Sequence, residues 1–293
     1  MKKEIKGTFE LLLPPFVLSI IRALRPSVRK RLAECRDRDD AIQRLRDAFE
    51  VTVGRAAEGS FRLRPDIEFR IHPECRTGFE HFCFRSPEMV EEMDCFLALS
   101  RSCQRFLDVG ALHGAFSLAF TSRNATAQSI AFEPSPLAYS RLLYNTYKNP
   151  ACQIKAIECA LTDQRKLLLM HYEWEHVIAG PSTQRNGNTL SVECDAGDAM
   201  CGMQQFDPDV IKIDVEGHEV KVIRGLRGVI TRFRPTVFLE IHPEMIQKEG
   251  DRVGEIVDFF DKLDYTAVNN QGSKVDSSSI EHTREHSRVV FKG

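Results

Sequence analysis

The chain has 293 residues, of which 42% are hydrophobic and 28% are charged, and its formal net charge is −2. This length fits one large domain or one domain with a small extension, and the composition is that of a folded protein. The nearly balanced charge excludes a chain-wide attraction to nucleic acid or to an acidic polymer. The nine cysteines include no C-x-x-C pair, which indicates reduced thiols in a cytoplasmic protein and argues against a zinc cage.

The amino-terminal part predicts an accessory extension over residues 1–85, helical at first and then with short strands. The apolar stretch 9–24 contains two prolines and two charges and is shorter than the roughly 20 residues of a bilayer span, so no transmembrane segment is predicted. For the basic run that ends at Arg31, two interpretations stay open: contact with an anionic membrane surface, or a helix packed on the main domain with a solvated basic end. Alternating apolar residues over 61–71 predict one or two half-buried strands.

The main domain is predicted over residues 86–293. Ser86 and Pro87 are typical of the cap and the first turn of a helix. A short apolar run that begins at Phe106 then stops at a glycine-bearing turn, and a helical pattern resumes at Phe116. Strand, tight loop and helix in this order predict the opening unit of a nucleotide-binding α/β sheet.

The turn in this unit runs from Asp108 to Gly114 and reads Asp-Val-Gly-Ala-Leu-His-Gly. Gly110 and Gly114 let the backbone turn sharply and lie against a ligand, next to the free N–H groups at the start of a helix. Asp108 ends the strand, at the sheet edge where open α/β folds bind ligands. The glycine spacing disfavours an NAD-linked enzyme and is typical of S-adenosylmethionine enzymes, although a purely structural glycine turn also stays open.

The second predicted strand, residues 128–133, ends on an acid 25 residues after Asp108. A carboxylate near this spacing accepts hydrogen bonds from both hydroxyls of a ribose in such folds. Glu133 is therefore a candidate cofactor-binding residue. Ser135 and Pro136 then predict the cap and first turn of a helix that ends before Pro150.

A third strand is predicted over residues 153–161, followed by Asp163. Two interpretations of Asp163 stay open: it accepts a hydrogen bond from the exocyclic amine of an adenine, or it is a turn residue before a hairpin. Residues 173–189 predict a polar loop of the kind that adapts to a substrate.

Acidic and histidine residues gather directly after the fourth and fifth predicted strands, residues 209–214 and 236–241. Grouped carboxylates repel one another unless a cation or a proton transfer uses them, although acids are also tolerated at a helix N-terminus. We take four residues of this group as candidate catalytic residues: Asp214, Glu216, Glu240 and His242. Helices follow both strands, and residues 265–268 and 287–291 predict two terminal strands.

Four successive motifs resemble those of the FkbM family of S-adenosylmethionine-dependent methyltransferases. They are Asp108-Val109-Gly110, Ala131-Phe132-Glu133-Pro134, Ile211-Lys212-Ile213-Asp214-Val215-Glu216-Gly217-His218-Glu219 and Leu239-Glu240-Ile241. The chain departs from the family where Ala-Leu-His-Gly replaces the more frequent Ala-Asn-x-Gly, which puts contacts near His113 in doubt. The resemblance implies an α/β fold with a doubly wound, mostly parallel seven-stranded Rossmann-like sheet whose last strand is antiparallel, and S-adenosylmethionine as cofactor.

The resemblance further implies methyl transfer to a hydroxyl oxygen of a small molecule or sugar, a reaction in which alignment does much of the catalysis. Two mechanisms stay open. In one, His242 is a general base that Glu240 or Asp214 orients. In the other, a divalent ion, Mg²⁺ or Mn²⁺, is held by Asp214, Glu240 and His242 and lowers the pKa of the acceptor hydroxyl.

Two other classes of protein also stay open. A metal-dependent hydrolase would use the Asp, Glu and His group without a nucleotide, and a non-catalytic protein would bind the cofactor alone. The sequence carries no readable code for the acceptor or for the oligomeric state.

Overall fold

The computed structural model describes residues 60–173, 176–178 and 189–293. The apolar stretch 9–24, the basic run after it and most of the predicted substrate loop 173–189 lie outside the described residues. Within the described part of the chain, no helix is long and apolar enough to cross a membrane.

The strands, in chain order, are β1 (Ser60–Arg64), β2 (Ile67–Arg70), β3 (Arg105–Val109), β4 (Gln128–Phe132), β5 (Gln153–Ile157), β6 (Ala160–Thr162), β7 (Lys166–Glu173), β8 (His176–Ile178), β9 (Thr189–Ala196), β10 (Val210–Ile213), β11 (Thr236–Ile241), β12 (Thr266–Val268) and β13 (Ser287–Lys292). The helices are α1 (Arg76–Glu80), α2 (Pro87–Leu99), α3 (Ala115–Ser122), α4 (Pro136–Lys148), α5 (Gly197–Gln204), α6 (Glu219–Gly225), α7 (Arg227–Phe233), α8 (Pro243–Lys248), α9 (Val253–Asp261) and α10 (Ser277–Glu281). A short 3₁₀ turn, Pro73–Cys75, precedes α1, and a π turn, His81–Arg85, follows it.

The central sheet has seven strands in the order β12-β13-β11-β10-β3-β4-β5. The five strands from β11 to β5 are parallel, while β13 runs antiparallel to both β11 and β12. The predicted fold class is thereby confirmed, including the antiparallel last strand. The strand order reverses at β3 and β10, which is where doubly wound sheets open a crevice for ligands.

Alternate residues of the buried strands supply two cores, one on each face of the sheet. Ile211 and Ile213 of β10 pack in the first core with the helices α6 to α9. On the other face, Phe96 of α2 contacts the rings of Phe106 and Phe238 at centroid distances of 4.9 and 5.2 Å. Both faces are therefore covered, as a parallel sheet requires.

The predicted helix starts are confirmed, although one cap differs from the prediction. The Ser135 hydroxyl accepts a hydrogen bond from the Ala138 N–H, and Pro136 follows in the first turn of α4. Ser86 stands at the N-cap of α2, but its side chain makes no cap hydrogen bond. The predicted single helix after the fourth strand is two helices, α6 and α7, which meet at Leu226.

The predicted third strand is wrong beyond Ile157. The chain leaves the central sheet there, and β6 pairs instead with β9 in a second sheet of order β6-β9-β7-β8. Apart from Glu158, the residues from Ile157 to Leu161 are apolar, which hides this change of sheet from a reading of periodicity. Part of the predicted loop 173–189 is also strand, because β8 pairs with β7.

The described part of the predicted extension, residues 60–85, contributes to the second core. Strands β1 and β2 form an antiparallel hairpin, and their buried residues Phe61 and Phe69 share a cluster with Phe96 and Phe116. The division of the chain at residue 85 stays a prediction.

Candidate functional site

A cleft with about 700 Å³ of empty space opens at the carboxyl ends of β3, β4 and β10. This figure includes solvent at the mouth of the cleft, and the cavity volume itself is about 90 Å³. Four chain segments line the cleft: the tip of β3, the tip of β4, residues 159–161 at the start of β6, and residues 214–218 after β10. The cleft therefore occupies the predicted position, where the strand order reverses.

One wall of the cleft is residues 110–114, here called the glycine loop. Gly110 has a φ of 82°, and a Cβ at this position would lie 1.8 Å from the Asp214 carbonyl oxygen. Glycine is therefore required for the tips of β3 and β10 to approach each other. The N–H groups of Gly110 and Ala111 both donate to the Phe132 carbonyl at 3.0 Å, which ties the loop to β4.

Glu133 follows β4 and lines the cleft. Its two carboxylate oxygens each accept a backbone hydrogen bond, from the Leu112 N–H at 2.8 Å and from the Ser135 N–H at 2.7 Å. Burial raises the pKa of Glu133 to about 8, although both N–H donors lower it. In the ionised form each oxygen keeps a second lone pair that can accept from a ligand, and hydrogen bonds from ligand hydroxyls favour this form over the protonated one.

Asp108 and Gly114, which the sequence also predicts to bind the cofactor, do not line the cleft and make their contacts inside the protein. Asp108 is 1% exposed, accepts a hydrogen bond from the Ser117 hydroxyl at 2.7 Å and is not among the residues that line the cleft. Burial raises the pKa of Asp108 to about 6, against the effect of the Ser117 bond. Gly114 has a φ of 83° and forms the N-cap of α3, where a Cβ would lie 2.5 Å from Leu142.

Asp163 lies next to the cleft wall but not on it. Its carboxylate pairs with Lys166 at 3.2 Å, and the lining residues of this wall are Cys159, Ala160 and Leu161. Burial raises the pKa of Asp163, but Lys166 outweighs this effect and the pKa is lowered. The hydrogen bond from Asp163 to an adenine stays a prediction.

Beyond Asp214, charged side chains from four elements form what we call the charged cluster. Its members are Glu92 of α2, Lys212 of β10, Asp214 just after β10, Glu240 of β11, His286 just before β13 and Arg288 of β13. The Lys212 ammonium is buried and lies 3.0 Å from Asp214, 3.7 Å from Glu240 and 3.8 Å from Glu92. Burial lowers the pKa of Lys212, but the three carboxylates outweigh it and raise the pKa above its usual range.

Asp214 connects the charged cluster to the cleft, since it contacts Lys212 and also lines the cleft wall. Its side chain is 29% exposed. Burial raises the pKa of Asp214 to about 6, against the attraction of the Lys212 ammonium. A carboxylate with this pKa can accept a proton near neutral pH.

Glu240 is held inside the charged cluster rather than presented to the cleft. It accepts a hydrogen bond from Arg288 at 2.8 Å and pairs with His286. Burial raises the pKa of Glu240, but the His286 hydrogen bond and the Lys212 and Arg288 charges hold it well below its usual range. Glu240 therefore stays ionised, and its oxygens are already occupied by donors.

His242 lies between two carboxylates of the loop and helix after β10. Its Nδ1 is 2.7 Å from a Glu219 oxygen, and its Nε2 is 3.5 Å from a Glu216 oxygen. Burial lowers the pKa of His242, but both glutamates outweigh it and raise the pKa to about 9. The sequence predicts that Glu240 or Asp214 orients this imidazole. In the structure the carboxylate in direct contact with it is Glu219.

Sequence reasoning missed several members of this site. Four of them had not been assigned a role: Glu92, Lys212, His286 and Arg288. Lys212 stands inside the motif that carries Asp214, so its position in a buried strand was the signal that could have identified it. Glu92 and Arg288 lie 120 and 76 residues from Lys212 in the sequence, and spacing gives no indication that they meet.

Two groups of side chains in the described residues have possible metal-ligand atoms within 4.8 Å of one another: Glu240, His242 and His286, and Asp214, Glu216 and His242. Both fit a divalent cation poorly. In the first group, Arg288 and His286 already occupy Glu240. In the second, the Lys212 ammonium is 3.0 Å from Asp214, and a second cation there would be repelled. We therefore derive no step through a metal ion.

Two methyltransferases are similar to this chain in sequence. The methyltransferase sdnD of Sordaria araneosa is 26% identical, over 41% of this chain and 59% of its own length. The hexuronic acid methyltransferase AglP of Haloferax volcanii is 26% identical, over 48% of this chain and 57% of its own length. The chain thus spans less than two thirds of the length of these relatives.

Solved methyltransferase structures are distantly similar. A methyltransferase FkbM from Methylobacillus flagellatus has 15% identity and a TM-score of 0.43, covering 64% of this chain and 43% of its own. An O-methyltransferase from Bacillus cereus has 11% identity and a TM-score of 0.40, covering 71% and 80%. The sequence model of one protein family, the methyltransferase FkbM domain, matches residues 108–267. This match covers more than half of the 293 residues. The chain therefore belongs to the FkbM methyltransferase family.

Proposed function

We propose that this protein transfers a methyl group from S-adenosylmethionine to a hydroxyl oxygen of a small-molecule or sugar acceptor. The observation that carries the proposal is the Glu133 carboxylate, which two backbone N–H groups hold in the cleft beside the glycine loop. A carboxylate held in this way suits a ribose diol, since both of its oxygens point at one small region.

The chain's own residues fit this cofactor. Glu133 would bind the ribose hydroxyls, and the glycine loop would approach the amino-acid part of the cofactor. Residues 159–161 and 215–218 form the opposite walls, where an adenine ring would lie. His218 is buried in the second wall; burial, followed by the nearby Lys221 charge, lowers its pKa to about 4, so it is neutral at pH 7.

When bound, S-adenosylmethionine supplies the methyl group, and the acceptor hydroxyl must then lose its proton. His242 is the proposed base, because Glu219 holds its Nδ1 and leaves Nε2 directed toward Glu216 at the cleft. Only the neutral imidazole can take the proton, so with a pKa of about 9 turnover should rise as the pH approaches that value. This arrangement of carboxylate and imidazole stabilises the positive charge that proton transfer creates. Asp214 and Glu216 keep their proposed catalytic roles as the carboxylates around the acceptor, whereas Glu240 would act through the charged cluster that it shares with Asp214.

A sugar or other hydroxylated small molecule is the proposed acceptor class. One similar protein is named a hexuronic acid methyltransferase, and the carboxylates Asp214 and Glu216, which are about a third exposed, can accept hydrogen bonds from hydroxyl groups.

The two other classes of function make different predictions. A hydrolase that uses the Asp, Glu and His group would retain its activity without Glu133. A non-catalytic cofactor-binding protein would bind S-adenosylmethionine but would leave any acceptor unmethylated.

The test is a methyl-transfer screen with the full chain. Isotope-labelled S-adenosylmethionine is incubated with small-molecule and glycan extracts, with and without a chelator, and mass spectrometry detects products that carry the label. We expect a labelled hydroxylated product whose amount does not depend on the chelator. Glu133→Ala should remove the product, and an exposed acid changed in the same way, Glu244→Ala, should not. Binding of the cofactor without any labelled product would favour the non-catalytic alternative.

A further inference from the structure

The hairpin of β1 and β2 packs behind the glycine loop although it lies outside the residues that match the family. The match begins at residue 108, whereas the hairpin ends at Arg70. Phe61 and Phe69 of the hairpin are buried in one cluster with Phe116 of α3, the helix that the glycine loop leads into. The hairpin thus adjoins the element that supports the loop.

Two asparagines, Asn145 of α4 and Asn149 at its C-cap, bind the backbone at the end of this hairpin. Asn149 accepts a hydrogen bond from the Arg70 N–H at 2.8 Å and donates to the Arg70 carbonyl at 2.6 Å. Asn145, one turn earlier, accepts from the His72 N–H at 2.6 Å. Both residues therefore attach the same segment to α4 by the same kind of contact.

Asn145 also reaches the glycine loop. Its Nδ2 donates to the His113 carbonyl at 2.8 Å, whereas the Nδ2 of Asn149 has its second bond to the Asn145 carbonyl, within the helix. Asn145 is 0% exposed, so water cannot replace its partners. Because one partner is an N–H and the other a carbonyl, a single orientation of the amide satisfies both.

The glycine loop needs such support, because its backbone is strained. Leu112 has a φ of 48°, a conformation that costs a bulky L-residue roughly 1–2 kcal/mol. The same residue donates its N–H to Glu133 at 2.8 Å. The bond between Asn145 and His113 acts on the next residue and opposes relaxation of the loop away from Glu133.

We propose that Asn145 is a positioning residue for cofactor binding, anchored by the segment after the hairpin. It acts through the glycine loop and does not line the cleft itself. The inference rests on the proposed function in one respect, that the cleft binds S-adenosylmethionine. It extends the binding apparatus to residues 70–72, which precede the family match.

The test compares Asn145→Ala with Asn149→Ala in the full chain. Hydrogen exchange without ligand reports the opening of the peptide around residues 110–114, and calorimetry reports the affinity for S-adenosylhomocysteine. In Asn145→Ala we expect exchange in the loop to rise about tenfold and affinity to fall at least about fivefold. In Asn149→Ala both should stay within about twofold, while the thermal midpoint falls in both variants.

Equal loop exchange in the two variants would overturn the proposal, as would a faster loop with unchanged affinity. If Asn145→Ala does not fold, Asn145→Asp takes its place, because a carboxylate keeps the bond from the His72 N–H and repels the His113 carbonyl. The same loop-specific change is then expected, and its absence would also overturn the proposal. A wild-type chain that does not bind S-adenosylhomocysteine would refute the proposed function. In that case, faster exchange of the glycine loop in Asn145→Ala than in Asn149→Ala would still show that Asn145 stabilises the loop.

Discussion

The two sides of the cleft are built by different means. At the tips of β3 and β4, backbone N–H groups and one carboxylate, Glu133, form the wall. At the tips of β10 and β11, the wall joins the charged cluster, in which the Lys212 ammonium lies within 3.8 Å of three carboxylates. A wall made by the main chain suits a constant cofactor, whereas a wall made by side chains can change with the acceptor.

This difference separates the expected effects of substitutions. Changes beside β3 and β4 should lower cofactor affinity and leave the chemistry of any bound complex intact. Changes in the charged cluster and beside His242 should lower turnover or stability and leave cofactor affinity intact. The following predictions test this separation, from the largest expected effect to the smallest.

His242→Ala should lower turnover by about 10²–10⁴-fold, the usual range for removal of a general base, with unchanged affinity for S-adenosylhomocysteine. The assay is methyl transfer to the acceptor that the extract screen identifies. His282→Ala is the control, since His282 is exposed and bonds to Ser278 of its own helix. Full turnover in His242→Ala would assign this imidazole a structural role.

Lys212→Met should lower the free energy of unfolding by about 3–5 kcal/mol, because the buried Glu92 and Glu240 and the partly exposed Asp214 would lose their shared cation. Urea unfolding measures the change. Lys221→Met is the control, since this ammonium is 16% exposed and its loss should cost less. An equal change in the two variants would mean that burial of Lys212 contributes nothing beyond an ordinary ion pair.

The charge on His242 predicts a pH dependence of stability. Its pKa rises on folding from 6.5 to about 9, so the folded state favours the protonated form. The resulting stabilisation is fully present below pH 6.5 and is lost as the pH rises through about 9. The difference in unfolding free energy between wild type and His242→Gln should therefore be larger at pH 6 than at pH 9.5. An unchanged difference would contradict the ion pairs with Glu216 and Glu219.

Leu112→Asn should raise the free energy of unfolding by about 0.5–1 kcal/mol, because asparagine tolerates a positive φ better than leucine does. Thermal unfolding measures the gain, and Leu112→Ala is the control that removes the side chain without favouring this conformation. A loss of stability in Leu112→Asn would mean that the leucine contacts outweigh the backbone strain.

Much of the fold and one half of the site could be predicted from the sequence. The glycine loop and Glu133 are coded by short consecutive motifs, because a strand, a tight turn and a helix leave a local pattern. Asp214, Glu216 and His242 could be placed at one edge because parallel strands end together. The change of sheet after Ile157 could not be predicted, since the residues on both sides of Glu158 are apolar and such residues suit a strand of either sheet.

The partners within the site could not be predicted, for a different reason. Glu219 and His242 meet because the turn after β10 brings a helix start beside the next strand, and Glu92 meets Lys212 across a helix and a sheet. Such contacts depend on the tertiary fold and leave no spacing in the sequence. The sequence also does not show which way a side chain points. Asp108 and Glu240 were therefore assigned to the correct strands, but their carboxylates bind protein partners.

Calorimetric titration with S-adenosylhomocysteine tests the central claim most directly. The wild-type chain should bind one equivalent, and Glu133→Ala should weaken the affinity by about 1–3 kcal/mol, the range for loss of a hydrogen-bonding partner in a buried site. His242→Ala should bind as tightly as the wild type. Equal affinity of wild type and Glu133→Ala, or no binding by the wild type, would contradict the assignment of this cleft to the cofactor.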